Sequence, residues 1–178
     1  MARTDAKRVI LEIIRQTDGE FAGKTKLFKA FYFAHLEYYD KNPGILTDWP
    51  MARMPEGPAI HNSRQLFAEL KQDGFLLVEP IHDGFYPECR YRLTDKAKAL
   101  PPLPSEVVSA IQRVVDFVRD KKGAELSDYT QEHSRSWKLA SDGEILDIYV
   151  DLIPDDEYEQ REKSIAETET VFEATFGG

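Results

Sequence analysis

The sequence predicts a mostly helical α+β fold, for three reasons. Apolar residues recur every three or four positions along most of the 178 residues, which is the period of a helix with one buried face. Residues 75–94 instead indicate two short strands around Asp83-Gly84, a pair that suits a tight β-hairpin turn. A chain of this length can bury most of the apolar surface of one domain, so it needs no disulfide for stability.

Two helices are predicted at the start of the chain. Thr4 is expected to cap the first helix, whose apolar stripe includes Val9 and Ile13 and which ends near residues 18–19. The second helix runs from about residue 25 to residue 40, and the Asn-Pro-Gly sequence at 42–44 ends it because proline lacks an amide donor. Its aromatic residues are Phe28, Phe31, Tyr32, Phe33, Tyr38 and Tyr39.

The aromatic density of this second helix has two interpretations. Such rings most often belong to a core. Six rings on one helix cannot readily all face inward, however, and tyrosine hydroxyls seek water or a partner. We therefore expect one edge of the helix, with Tyr38, Tyr39 and Trp49, to form an exposed aromatic patch that a partner protein can contact.

Residues 53–70, RMPEGPAIHNSRQLFAEL, predict a stiff corner followed by a third helix. Pro55 and Pro58 restrict the backbone, and Gly57 between them can adopt angles that other residues avoid. Apolar residues at helical spacing follow the corner. The corner has a structural interpretation, a well-made turn, and a functional one, a rigid support for a recognition surface.

Three helices followed by a hairpin is the element order of a winged-helix domain, which we predict over about residues 1–100. Lys71, Arg90 and Arg92 lie near the third helix and the hairpin, where they are placed to contact phosphates. A DNA-binding transcriptional regulator is therefore one hypothesis. The balanced charge of this half opposes it, because DNA-binding domains usually carry a clear basic face.

A proline-rich linker, LPPLP at 100–104, separates this core from a helical extension over residues 105–153. Ser105 is expected to cap a valine-rich helix that ends at Gly123, Ser127 to begin a short helix, and residues 145–152 to form another. Residues 1–153 are thus predicted to form one domain. The tail, residues 154–178, is expected to be an acidic helix with a thin apolar stripe of Tyr158, Ile165 and Phe172.

The net charge of −9 is concentrated towards the C-terminal end of the chain. Residues 154–178 hold 8 acidic and 2 basic residues, whereas the first hundred residues are nearly balanced. This distribution would repel a nucleic-acid backbone from the second half of the chain and attract a basic partner protein to it.

The sequence carries no recognisable motif for enzymatic chemistry. The single cysteine, Cys89, has no nearby histidine or second cysteine, and the four histidines lack the short spacing of metal ligands. Serines near His133 and Asp128 are typical of helix caps rather than of a catalytic triad. We therefore expect a protein with no catalytic activity, metal or cofactor. The absence of a signal sequence or membrane span predicts a cytoplasmic location.

Three segments together resemble a known family: KLFKAFYFAHLEYY at 26–39, ILTDWPMARMPEGPAI at 45–60 and LSDYTQEHSRSW at 126–137. The family is the Panacea domain, related to the antitoxin SocA and to phage-associated proteins, and the resemblance covers roughly residues 24–137. The sequence departs from the family pattern at Glu56, Gln131 and Ser136, where an aromatic residue, a histidine and a proline are common. The family positions fall on Lys26, Leu27, Tyr32, Phe33, Ala34, Asp48, Ala52, Gly57, Pro58, Ser127, Thr130 and Trp137.

This resemblance implies an antitoxin-like interaction protein that neutralises a cognate toxin by direct binding, with no chemistry of its own. A second implied route is delivery of the toxin to a protease, since SocA is described as an adaptor. Binding to its own operator DNA and assembly into a homo-oligomer are both compatible with such a role. The partner-binding positions that the resemblance suggests are Leu27, Tyr32, Phe33, Asp48, Gly57, Pro58, Thr130 and Trp137.

Overall fold

A computed structural model describes residues 4–42, 44–81 and 88–176 and confirms an α+β fold that is mostly helical. The helices are α1 (Ala6–Arg15), α2 (Lys24–Lys41), α3 (Ser63–Gln72), α4 (Asp95–Lys98), α5 (Ser105–Val118), α6 (Gly123–His133), α7 (Arg135–Leu139) and α8 (Asp155–Phe176), with a 3-10 helix at Ile148–Leu152. The strands are β1 (Glu20–Ala22), β2 (Met51–Met54), β3 (Gly57–Ile60), β4 (Leu76–Ile81) and β5 (Glu88–Leu93).

Helix α2 lies at the centre of the molecule. It packs against α5 and α6, and it also contacts α1 and strand β5. Leu27, Phe31 and Ala34 follow one another at helical spacing and are fully buried. Ile111 and Val115 of α5 are buried in the same core. The apolar stripes that the sequence predicts for these helices therefore meet in one core that spans both halves of the chain.

Strands β1, β5 and β4 form an antiparallel sheet in that order. Phe21 of β1 and Val78 of β4 both pair with Tyr91 of β5, so β5 is the central strand. The sequence predicts β4 and β5, whereas β1 is too short to show an alternating pattern. The turn expected at Asp83-Gly84 lies outside the described residues.

The predicted corner before the third helix is a second β-hairpin, formed by β2 and β3. Arg53 pairs with Pro58 and Met54 pairs with Gly57, and residues 55 and 56 form the turn. Prolines usually argue against a strand because they lack an amide donor. Pro58 is tolerated because the hairpin has only two strands. The predicted turn is present at residues 55 and 56, but the strand pairing on either side of it was not predicted.

Three helix boundaries differ from the predicted ones. Asp5, not Thr4, is the N-cap of α1, and its carboxylate accepts a hydrogen bond from the amide two residues later. Pro104 takes the N-cap position of α5, so Ser105 is the first helical residue. Gly123 begins α6 rather than ending α5.

Residues 145–152 do not form the predicted α-helix, because part of the segment pairs with β2. The amide of Leu146 donates to the carbonyl of Met51 at 2.9 Å, which leaves only the 3-10 helix beyond it. Ser127, expected to begin a helix, lies inside α6. The tail forms α8 as predicted, and side chains 159–168 are exposed. No described helix is both long and apolar enough to cross a membrane.

Candidate interaction surface

The hairpin β2–β3 is attached to α2 by a buried lysine. Lys29 is 1% exposed, and its Nζ donates to the carbonyl oxygens of Glu56 and, at 3.0 Å, of Pro58. These two carbonyls replace the water that burial removes from the ammonium group. Burial nevertheless lowers the pKa of Lys29 to about 8. A lysine in the second helix thus fixes the turn of the hairpin.

Only glycine fits at position 57. Its φ is +93°, a region that residues with a Cβ avoid. A Cβ there would lie 2.5 Å from Thr130 Oγ1 and 2.7 Å from Lys29 Nζ. Thr130 is itself buried, and its hydroxyl donates to the carbonyl of Ser127 at 3.0 Å. Helices α2 and α6 therefore meet the hairpin at a point where no side chain can be added.

Helix α7 holds the other side of the hairpin through a stacked pair. The Arg53 guanidinium lies 4.2 Å from the centre of the Trp137 ring and donates to the Trp137 carbonyl at 2.7 Å. In return, Trp137 Nε1 donates to the carbonyl of Met54 at 2.9 Å. Gln131, which stands where the family commonly has histidine, donates to the carbonyl of Pro55 at 2.8 Å. The hairpin thus has polar contacts to α2, α6 and α7.

A cluster of hydroxyl groups surrounds the carboxylate of Asp151 in the 3-10 helix. Tyr32 donates to it at 2.7 Å, Ser134 at 3.0 Å, and Ser136 through both its hydroxyl and its amide. Burial and the neighbouring Asp151 raise the pKa of Tyr32, so its hydroxyl stays protonated and remains a donor. The cluster ties α2, α7 and the 3-10 helix together.

A groove of about 440 Å³ opens beside this cluster, between α2, α5, α6 and the 3-10 helix. Three rings line it in edge-to-face contact: Phe33 lies 5.3 Å from Phe117 and 5.9 Å from Tyr129. Phe117 is 36% exposed and Tyr129 is 42% exposed. The groove therefore presents aromatic surface to solvent on a rigid helical support.

Three carboxylates line this aromatic groove, those of Glu37, Asp40 and Asp151, together with the guanidinium of Arg113. Arg113 pairs with Glu37, and Lys41 pairs with Glu37 and Asp40 at 2.7 and 3.5 Å, so part of this acidic charge is neutralised. Tyr39 also lines the groove and is 37% exposed. Aromatic residues with an acidic rim can bind a complementary protein surface, and the arrangement requires no reactive group.

The predicted aromatic patch is only partly present. Tyr38 is 6% exposed and belongs to the core, so its assignment to the patch was wrong. Trp49 is half-buried, and its Nε1 donates to the carbonyl of His61 at 2.7 Å. Tyr39 is exposed and contacts Tyr149 edge-to-face at 6.3 Å. Tyr38 faces inward because it lies on the same helical line as the buried residues Phe31 and Ala34.

The other predicted positions divide into two groups. Leu27 lies in the core, and Asp48 is exposed in a small cleft near the start of α1, three residues before β2. The remaining six lie around the hairpin, the hydroxyl cluster and the aromatic groove: Tyr32, Phe33, Gly57, Pro58, Thr130 and Trp137.

Several residues that build this region were not predicted. Lys29 shares a helical face with Tyr32 and Phe33, three and four positions later, so its place among apolar residues was a usable signal. Phe117 and Tyr129 gave no such signal, because each stands on a different helix and only the fold brings them together.

Two histidines of the described part of the chain, His35 and His133, make ring contacts within their own helices. His35 is buried, and its Nδ1 lies 3.0 Å from the carbonyl of Phe31. His133 Nδ1 lies 2.9 Å from the carbonyl of Tyr129. Within residues 4–42, 44–81 and 88–176, no group of three or more His, Cys, Asp or Glu side chains is arranged to hold a metal ion.

Comparison with known proteins identifies one family. The family model described as antitoxin SocA-like, Panacea domain, matches residues 27–138, which is more than half of the chain. The match begins in α2 and ends in α7, so it includes the hairpin and the helices that line the aromatic groove. No curated protein and no solved structure gives a significant match.

Proposed function

Because the chain belongs to the antitoxin SocA-like, Panacea domain family, we propose that it neutralises a cognate toxin by binding it directly. The observation that carries this proposal is the aromatic groove formed by Phe33, Phe117 and Tyr129. Large rings held in place by their neighbours give much contact area and lose little conformational entropy on binding. The proposal requires no reaction by this chain.

The charge around the groove indicates what kind of toxin surface fits it. Three carboxylates and one guanidinium line the groove, and the chain as a whole carries a net charge of −9. A basic toxin surface with an apolar or aromatic projection is complementary to both features. Long-range attraction would speed association at low ionic strength, and added salt would slow it.

The test uses the toxin candidates encoded beside this chain. Co-expression should restore growth in the presence of one of them, and the two proteins should co-purify. A Phe117→Ala/Tyr129→Ala double variant should lose rescue and bind at least about tenfold more weakly. Leu139→Ala is the matched control, because Leu139 is 64% exposed and does not line the groove.

Two outcomes contradict different parts of the proposal. If the wild-type chain rescues growth from none of the adjacent gene products, the proposed function is wrong. If it rescues growth and the double variant rescues equally well while folding normally, the toxin binds elsewhere. Circular dichroism of the purified variants checks their folding.

Delivery of the toxin to a protease is a second route to the same neutralisation. The two routes differ in what happens to the toxin after binding. Simple blocking leaves the half-life of the toxin unchanged or longer, whereas delivery shortens it. A chase experiment that follows toxin level with and without this chain distinguishes them.

The arrangement of the first hundred residues favours a second candidate function, a winged-helix DNA-binding regulator. The three-stranded sheet with β5 between β1 and β4, preceded by α1, α2 and α3, supports this proposal. Against it, Arg90 and Arg92 lie 3.0 and 3.1 Å from the carboxylate of Glu20, so their charges are partly neutralised. Salt-sensitive binding to the chain's own promoter is the required result.

A further inference from the structure

A second groove, separate from the aromatic one, lies between α3 and the strands β4 and β5. Its volume is about 280 Å³, and its lining includes the apolar surfaces of Phe67, Val78 and Tyr91. The cations that line it are Lys24, Arg64 and Lys71, and no carboxylate is among its lining residues. We refer to it as the basic groove.

Helix α3 separates its charges onto two sides. Its acidic side faces α1, where Glu69 and the following Asp73 lie 2.8 and 3.1 Å from Lys7 Nζ. Its basic side, with Arg64 and Lys71, faces the groove. Within the described part of the chain, no carboxylate lies within ion-pair distance of these two cations. The basic groove therefore lacks a counter-charge among the described residues.

The acidic helix α8 carries charge of the opposite sign to the basic groove, and its described side chains make little contact with the rest of the chain. It has 22 residues, which corresponds to a length of about 33 Å. Its base is held by Arg135, which pairs with Asp155 and stacks on Tyr158 at 4.5 Å. Beyond that base its side chains from 159 to 168 are exposed, including Ile165 at 56%. An exposed apolar residue on an acidic helix is a typical docking element.

The two helices carry complementary residues at the same spacing. On α3, Arg64, Phe67 and Lys71 occupy positions i, i+3 and i+7. On α8, Glu162 and Ile165 are likewise three positions apart, and Glu159 lies three positions before Glu162 on the same exposed side. With the two helices side by side, Glu162 can pair with Arg64 while Ile165 packs against Phe67, and the neighbouring carboxylate of Glu159 adds negative charge that the groove attracts.

We propose that α8 of one copy of this chain binds the basic groove of a second copy. The occupant is a second copy because the described side chains of α8 do not cover the groove of their own chain: the helix leaves the body near Arg135, and side chains 159–168 stay exposed. A nucleic-acid backbone fits the groove less well, because it would satisfy the three cations but leave Phe67 and Val78 uncovered.

The first experiment measures the oligomeric state of the full-length chain by analytical ultracentrifugation over a range of concentrations. We expect reversible self-association that weakens as NaCl is added. An Arg64→Glu/Lys71→Glu variant should raise the dissociation constant at least about tenfold. A Lys98→Glu/Lys138→Glu control makes the same change in net charge at exposed sites outside the groove and should associate like the wild type.

The second experiment exchanges the charges. A Glu159→Lys/Glu162→Lys variant should also fail to self-associate, because its reversed helix would meet a basic groove. Mixing it with Arg64→Glu/Lys71→Glu should restore association, since the reversed helix of one variant meets the reversed groove of the other, and the acidic helix of the second meets the basic groove of the first. This restoration cannot arise from misfolding of either variant.

Three results overturn the proposal. The first is a wild-type chain that stays monomeric at every concentration tested. The second is self-association that the groove variant leaves unchanged. The third is a monomer that binds a duplex DNA probe through Arg64 and Lys71, which would assign the groove to nucleic acid. Toxin neutralisation is measured separately, so failure here leaves the proposed function untouched.

Discussion

At the scale of single residues, Lys29 is a connecting residue that the sequence pattern did not single out. Its ammonium binds two carbonyl oxygens of the hairpin turn and lies against Gly57. The glycine and proline at 57 and 58 could be identified from the sequence as special backbone positions. Their partner could not, because a lysine in a helix is normally an exposed residue.

Replacing Lys29 with methionine should change how stability depends on pH. Burial lowers the pKa of folded Lys29 to about 8, from a reference value of 10.5, so the unfolded chain binds more protons between these values. The free energy of unfolding of the wild type, relative to Lys29→Met, should therefore rise as pH increases through this interval. Below about pH 8 this lysine is protonated in both states, so the difference should level off at its lowest value.

Urea denaturation of both proteins at several values between about pH 7 and about pH 10 measures this difference. Other ionisable groups titrate in both proteins, so their effects cancel when the two curves are subtracted. If the difference in the free energy of unfolding between the two proteins stays constant across this pH interval, Lys29 does not titrate as its burial implies.

At the scale of elements, the hairpin β2–β3 is the part of the candidate site that the sequence predicted least well. Its stiffness was evident from Pro55, Gly57 and Pro58, but its strand pairing was not, because prolines usually exclude a strand. The docking of Trp137 against Met54 also could not be predicted, since it joins residues more than eighty positions apart. By contrast, helices α1, α2, α3 and α5 follow directly from their apolar periodicity.

Replacing Trp137 with alanine should loosen the hairpin while leaving the helical core folded. The change removes the hydrogen bond to the Met54 carbonyl and the surface on which Arg53 stacks. Amide hydrogen exchange within residues 51–60 should become at least about tenfold faster. Exchange in α5 should change much less, because α5 makes no contact with Trp137 among those described. Leu139→Ala, an exposed site on the same helix, should leave the hairpin amides unaffected.

At the scale of the whole molecule, the central helix α2 connects the two parts of the chain that the proline-rich segment separates in the sequence. The proline-rich segment at 100–104 suggested a boundary between a core and an extension. The structure packs α2 of the first part directly against α5 and α6 of the second. Composition and periodicity alone could not show this packing, because it depends on which buried faces meet. The buried residues between Ala6 and Leu146 therefore belong to one core, and side chains 159–168 of α8 lie outside it.

We expect this body to unfold in a single transition. Trp49 lies in the first part and Trp137 in the second, so Trp49→Phe and Trp137→Phe each leave one fluorescent reporter. Their denaturation curves, corrected for the small effect of each change, should give the same midpoint as far-UV circular dichroism. Phe31→Ala should shift both reporters together by about 3–5 kcal/mol. Two separate midpoints would show that the parts unfold independently.

The crowding at position 57 has a consequence for how this chain can evolve. A side chain there would collide with Thr130 and Lys29 and would also require a disfavoured backbone angle. Smaller side chains at positions 29 and 130 would remove the collision but not the cost of the backbone angle. A replacement of this glycine should therefore destabilise the fold whatever residues stand at the other two positions.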